Sequence, residues 1–418
     1  MRALFKFFSS LRLTVVLLAF SMVLVLLATF EQVQWGVFEV QKRYFEAFIT
    51  LWQYPEQWSG ADSLHWLKIP LPGGFLLGGL LLINLACAHF RYFRASWKKS
   101  GIVLTHAGVA LLIISGFLTA YLQEENFMWI NVGGQSNYIE SFHDMDLVFI
   151  DHTDPQTDTV VSIPVSHLTP GETVSNPALP FSVKTVFYYP NSDIGTKREY
   201  PNLAEIPADH GIATIRDLRV AQVRYTYANE AANLPSAVIS LATPQGPLGN
   251  WLVSAWLDPQ TMQQIYETVP PIYASHSPQT FTVDGHTWEV TLRPRREYLP
   301  YTLKLNKFVH DLYPGTMVPK NFESDVQLVN AANHEDRPVL IYMNHPLRYG
   351  GLTFYQQSFG AADQASKLQV VRNPGAPLPY IAVALVGVGM IIQFVLSLLA
   401  HLRREKANAG KTAAPATP

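Results

Sequence analysis

The chain has 418 residues, of which 48% are hydrophobic and only 15% are charged, and its formal net charge is −2. Soluble domains carry nearer a quarter charged residues, so the composition argues against an ordinary soluble globule, and the near-zero net charge argues against a nucleic-acid partner. The single cysteine, Cys87, excludes an intramolecular disulfide, a CxxC redox pair and a CxxCH haem attachment site.

Four stretches of the chain are long, apolar and free of Asp, Glu, Lys and Arg. A bilayer core of ~30 Å needs about 20 helical residues to cross it. We therefore predict transmembrane helices over residues 13–30, 71–88, 101–122 and 378–400. The first follows a basic start as a signal peptide does, but its apolar run is longer than the apolar core of a typical signal peptide and no clear small-x-small cleavage site follows it, so we expect it to remain uncleaved.

Basic residues predict the orientation of these spans. Residues 1–12, 89–100 and 401–418 contain 11 of the 30 basic residues but only one of the 32 acidic residues. The positive-inside rule places these segments in the cytoplasm and the rest outside. The basic residues concerned are Arg2, Lys6, Arg12, Arg91, Arg94, Lys98, Lys99, Arg403, Arg404, Lys406 and Lys411.

Two segments are predicted to lie outside. Residues 31–70 form an aromatic-rich loop, whose part 44–54 fits an amphipathic helix at the membrane surface. Residues 123–377 show short alternating runs separated by Pro, Gly, Asn and Asp, which predicts a large, mainly antiparallel, sandwich-like β domain. The runs are 159–165, 181–186, 237–241, 287–292, 302–308, 339–343 and 352–357.

His106 is the candidate functional residue, because it lies inside the third predicted span. An ionisable side chain at that depth is costly and points to function, and neutral imidazole is a common ligand of iron and zinc. The alternative is a packing histidine that is hydrogen-bonded to a neighbouring helix through Thr105. His89, at the end of the second span, fits the headgroup interface better than a ligand site.

Other catalytic and metal-binding patterns are missing from the sequence. It contains no GxSxG, Walker A or GxGxxG motif. The external histidines show no HxH, HxxxH or HExxH spacing, so we expect ordinary surface or turn roles for them. They are His65, His143, His152, His167, His210, His276, His286, His310, His334 and His345. The tryptophans of the run 251–258 are expected to pack in the core.

Three stretches carry a family resemblance: residues 97–108, residues 311–316 with 319–326, and residues 344–356. Together with the layout of three spans, an external domain and a final span, they resemble the ResB-like (CcsB) cytochrome c biogenesis proteins of the system II pathway. The most distinctive pattern contains Pro346, Leu347, Tyr349, Gly351, Phe354, Tyr355 and Gln356. We expect these motif residues to be mainly structural.

The resemblance implies a function in haem delivery. His106 would be an axial ligand of the haem iron, with haem b as a transient cargo. A separate CcsA/ResC-type protein would be the partner, and an apocytochrome c with a CxxCH motif the client, with thiol-reducing proteins as further partners. The chain would be a subunit of a holocytochrome c synthase (haem lyase) complex and not a catalyst alone. The membrane would be the bacterial cytoplasmic membrane or the thylakoid membrane.

Two other classes of function stay open at this point. A membrane-anchored receptor or sensor could use the external β domain to bind a ligand, although the predicted cytoplasmic segments are short. A transporter is the third alternative, but four spans with one buried histidine and no pair of discontinuous helices make a poor pathway.

Overall fold

The structure of the protein is a computed structural model. It describes residues 2–55, 61–64, 66–92, 97–226, 233–265, 278–316, 318–360 and 363–412. The chain forms two compact units: a helical unit, Met1–Gln123 with Asn373–Pro418, and a β unit, Glu124–Arg372. His65, Arg94 and His276, which the sequence analysis named, lie outside the described residues.

Four helices are long and apolar enough to cross a membrane, and they begin at Leu11, Gly74, Ser100 and Pro377. The α-helices in the described residues are α1 (Arg2–Phe8), α2 (Leu11–Val40), α3 (Ala61–Leu64), α4 (Gly74–Tyr92), α5 (Ser100–Leu122), α6 (Ile212–Arg216), α7 (Pro259–Ile265) and α8 (Pro377–Thr412). The first long helix continues beyond residue 30 and breaks at Gly36, whose φ is 68°. The second begins at Gly74 and not at residue 71, because Pro70 and Pro72 lie in a strand.

A polar network connects the start of the chain to α4. Asn84 is buried within the helical unit, and its amide donates to the Phe8 carbonyl at 2.7 Å. Its Oδ1 accepts from the Thr14 hydroxyl at 2.7 Å. Arg91 donates to the Ser9 hydroxyl at 2.7 Å. A buried amide must have partners, and these contacts provide them where α1 and α2 separate.

The segment between α2 and α4 contains a β-ribbon. Strands β1 (Ile49–Gln53) and β2 (Lys68–Pro72) pair antiparallel, with Trp52 opposite Ile69. The interfacial helix expected over residues 44–54 is therefore wrong. Exposure alternates along β1, with Thr50 and Trp52 buried and Ile49 and Leu51 exposed, and this period of two suits a strand.

The β unit contains sixteen strands in its described residues, and they pair antiparallel. They are β3 (Glu124–Asn131), β4 (Gln135–Asp151), β5 (Thr159–Pro164), β6 (Thr173–Val174), β7 (Ser182–Tyr189), β8 (Ser192–Thr196), β9 (Leu218–Gln222), β10 (Ser236–Thr243), β11 (Gly246–Ser254), β12 (Gln279–Val283), β13 (His286–Leu312), β14 (Pro319–Asn330), β15 (Glu335–Tyr342), β16 (Leu347–Tyr349), β17 (Leu352–Phe359) and β18 (Ala365–Arg372). All seven predicted runs overlap strands.

The main sheet curls so that its two ends meet. Its order is β15-β14-β13-β4-β3-β18-β17-β16, with β12 beside β13 and β5 beside β4. Tyr342 at the end of β15 bridges His345, just before β16. The enclosed core contains Met128, Ile130, Ile139, Leu299, Tyr301, Leu303, Leu305, Phe308, Val326, Leu328, Ile341, Leu347, Leu352, Phe354, Leu368 and Val370.

A second hydrophobic core lies between two packed sheets, which form the sandwich of the β unit. The half of β13 near Trp288, with β12, β4 and β5, packs against the four-stranded sheet β11-β10-β7-β6. Phe149, Phe181 and Trp251 lie in this core. The predicted fold class, four apolar helices with an antiparallel β domain, is confirmed. The long strands β4 and β13 run through both cores, which the sequence pattern did not indicate.

Candidate functional site

His106 lies on α5, six residues after Ser100 and therefore about 9 Å along the helix axis. Its side chain is exposed on the surface of the helical unit. The packing alternative expected a hydrogen bond to a neighbouring helix, with Thr105 as a helper. The Thr105 hydroxyl instead donates to the Gly101 carbonyl of its own helix at 2.9 Å, and no described residue hydrogen-bonds the His106 ring.

Glycines bring α5 and α8 into backbone contact on one side of His106. A Cβ on Gly101 would lie 2.5 Å from the Gln393 nitrogen, and one on Gly389 would lie 2.6 Å from the Thr105 nitrogen. A Cβ on Gly108 would meet the Ala382 carbonyl at 2.7 Å. Small residues permit such close packing of membrane helices. Because the contacts descend α8 as they ascend α5, the two helices are antiparallel.

A groove of about 400 Å³ opens between these two helices at His106. This volume lies within the range of about 300–1,000 Å³ that is usual for small-molecule sites. The lining combines apolar and uncharged polar side chains with the imidazole. It consists of Ile102, Thr105, His106, Met390, Gln393, Phe394 and Ser397.

One buried polar atom of the groove lining lacks a partner among the described residues. The Gln393 Nε2 donates to the Ser397 hydroxyl at 3.3 Å, but the buried Gln393 Oε1 accepts no hydrogen bond from them. A buried acceptor without a donor costs about 1–3 kcal/mol. No residue of α8 was predicted to belong to the site, although a glutamine within an apolar span is a signal that could have indicated it.

His89 lies on α4 and is close enough to His106 for an electrostatic interaction between the two rings. It is partly buried near the end of the helix. The groove lining does not include His89. His106 and His89 are thus neighbours in the helical unit.

The family-motif residues lie in the curled sheet. Leu347 and Phe354 are buried in its core, facing each other across the β16–β17 pair. Gly350 and Gly351, with φ of 58° and 77°, form the turn between these strands. Pro346 precedes β16 and is partly buried, whereas the Tyr355 side chain is 38% exposed. β17 pairs with β16 and β18, so its first residues do not form an open edge.

Two polar motif residues make hydrogen bonds across the curled sheet. The Tyr349 hydroxyl donates to Glu335 at 2.6 Å and accepts from Asn330 at 2.8 Å. The hydrogen bond from Tyr349 makes the largest contribution to lowering the pKa of the Glu335 carboxyl, and the hydrogen bond from Arg337 makes the next largest. The Gln356 Oε1 accepts from the Ser324 hydroxyl at 2.5 Å. These contacts join β17 to β14 and β16 to β15.

A buried ionic cluster was absent from the sequence analysis. Glu140 is 1% exposed and accepts from Arg296 Nε at 2.9 Å. Gln260 on α7 accepts from Arg296 at 2.6 Å and from the Tyr138 hydroxyl at 2.9 Å. Burial lowers the pKa of nearby Lys367, although the Glu140 carboxylate opposes the shift. These partners are too far apart in sequence for a local pattern to reveal them.

Within the described ranges, no group of three His, Cys, Asp or Glu side chains could hold a metal ion. Trp251 packs in the sandwich core, as expected, and Trp256 donates to the Ser192 carbonyl at 2.9 Å.

The four apolar helices and the β unit define a membrane protein with a large antiparallel β domain. Residues 275–366 match the model of the ResB-like family. The chain is 29% identical over 113 residues to protein NrfI of Wolinella succinogenes. It is 33% identical over 97 residues to the cytochrome c biogenesis protein CcsB of Synechococcus elongatus, and 34% over 83 residues to that of Picosynechococcus sp.. The chain is thus similar to ResB-like and CcsB proteins over these segments, and the predicted resemblance is confirmed.

The matched segments cover a small part of each protein. They amount to 27%, 23% and 19% of this chain and to 12%, 20% and 18% of the three relatives. This chain therefore matches less than a quarter of the length of the curated relatives. His106 lies outside the segment that matches the family model.

Proposed function

We propose that the chain acts in cytochrome c biogenesis as a haem-handling membrane subunit. Haem b would be its transient cargo, and the His106 imidazole would be one axial ligand of the haem iron. The single observation that carries this proposal is the position of His106, which lies in a membrane helix beside an open groove and has no hydrogen bond to the described residues.

The chemistry of the groove fits a porphyrin. Ile102, Met390 and Phe394 supply an apolar wall, as a flat hydrophobic ring requires. Imidazole ligation is a common way for proteins to hold haem iron. The unpaired Gln393 Oε1 supplies a buried acceptor for a donor that arrives with the cargo or turns toward it.

The proposal requires a partner, because His106 supplies one axial ligand and the groove lining contains no second histidine. A CcsA/ResC-type protein would supply the opposing ligand and cover the open side of the groove. An apocytochrome c with a CxxCH motif would receive the haem, and thiol-reducing proteins would keep its cysteines reduced. In this arrangement the chain is a subunit of a holocytochrome c synthase complex, with its β unit on the extracytoplasmic side.

The test is the absorption spectrum of the full chain purified after co-expression with a CcsA/ResC-type partner. We expect a low-spin haem spectrum that His106→Gly weakens at least tenfold and that added imidazole restores. The matched control is His89→Ala, which removes a neighbouring histidine outside the groove lining and should retain the haem. Haem that is absent from the wild type, or unchanged in His106→Gly, would overturn the proposal.

A further inference from the structure

We infer that Gln393 is the residue that orients His106 for ligation, through its Oε1 as acceptor for the ring N–H that does not face the metal. This inference rests on the proposed function, because it assigns a role to a second residue of the same groove. Histidines that bind a metal almost always donate their other ring N–H to an acceptor, which fixes the tautomer and raises the ligand basicity.

The antiparallel packing of α5 and α8 places both side chains in the lining of one groove. Gln393 lies against Gly101, which precedes His106 by five residues, or about 7.5 Å along α5. Helical side chains lean toward the N-terminus of their own helix. The His106 ring therefore leans toward the level of Gln393, while the start of the Gln393 side chain leans back toward His106.

The hydrogen bonding of the Gln393 amide leaves its oxygen available for this role. Nε2 is engaged by the Ser397 hydroxyl at 3.3 Å, so the amide is oriented with its donor toward Ser397. Oε1 is buried and accepts no hydrogen bond from any residue that the structure describes. The Thr105 hydroxyl, the other polar group beside His106 on α5, donates to the Gly101 carbonyl. An imidazole N–H would satisfy the unpaired oxygen.

The experiment measures binding of zinc protoporphyrin IX, which takes a single axial ligand, to the full chain in lipid nanodiscs. The Soret shift gives the dissociation constant. Gln393→Leu, which removes the acceptor at similar size, should weaken binding about 10–100-fold, the usual effect of losing the acceptor behind a ligating histidine. Gln393→Glu retains an acceptor and should bind within about threefold of the wild type.

Two comparisons separate positioning from packing. Ser21→Ala, a similar change on α2 and outside the groove lining, should leave binding within about threefold of the wild type. Imidazole should restore binding to His106→Gly but not to Gln393→Leu, in which the ligand itself is present. Gln393→Leu binding within threefold of the wild type, with binding still dependent on His106, would overturn this inference alone. Binding that is absent, or unaffected by His106→Gly, would overturn the proposed function and the inference with it.

Discussion

Replacing Gly108 with alanine tests the contact between α5 and α8. The added Cβ would lie 2.7 Å from the Ala382 carbonyl oxygen and 2.9 Å from the Val386 nitrogen. Both atoms belong to the α8 backbone, so no rotamer change can relieve the clash, and the helices must separate by roughly 0.5–1 Å. A gap of that size removes about a quarter to a half of each contact's dispersion energy. We expect a cost of about 1–3 kcal/mol.

Gly116→Ala is the matched control on the same helix, because a Cβ at Gly116 would meet nothing within 4 Å. It should stabilise the protein by up to about 1 kcal/mol through helix propensity. The assay is SDS-induced unfolding of the purified full chain, followed by far-UV circular dichroism. Gly108→Ala should unfold at a lower SDS fraction than the wild type and Gly116→Ala should not. Equal behaviour of the two variants would refute the close packing of these helices.

Two further predictions concern the β unit, both measured by denaturant unfolding of the full chain with tryptophan fluorescence. Gln356→Leu should lower the free energy of unfolding by about 1–3 kcal/mol, because it removes the acceptor that the Ser324 and Ser366 hydroxyls share and leaves one of these two buried donors unpaired. Gln369→Leu, whose partner Glu125 is exposed, should change the free energy of unfolding by less than about 0.5 kcal/mol; equal effects of the two variants would contradict the buried bond. Burial lowers the pKa of Lys367 below 10.5, so the unfolded chain binds the Lys367 proton more tightly than the folded chain does. The stability of the wild type should therefore rise with pH between the lowered pKa and 10.5. Lys367→Met should lack this rise, so its stability relative to the wild type should fall as pH increases from 7 to 10; a constant difference would contradict the shift.

The sequence was sufficient for the parts of the fold that depend on local pattern. A run of about 20 residues without charge identifies a membrane helix wherever its neighbours lie, and alternating runs such as 352–357 identify strands for the same reason. His106 was identifiable because an ionisable residue stands out in an apolar span. The prediction of an interfacial helix over residues 44–54 was wrong, because residues 49–53 form a strand that pairs with β2.

Only the tertiary structure decided which residues accompany His106. Gln393 follows Gly101 by nearly 300 positions in the sequence, yet the two are in contact because neither Gly101 nor Gly389 carries a side chain. The Glu140–Arg296 pair likewise joins residues 156 positions apart. Local patterns determine which residues must leave water, whereas the groove and the buried pairs depend on how distant surfaces fit together. That fit is a property of packing, and no stretch of sequence contains it by itself.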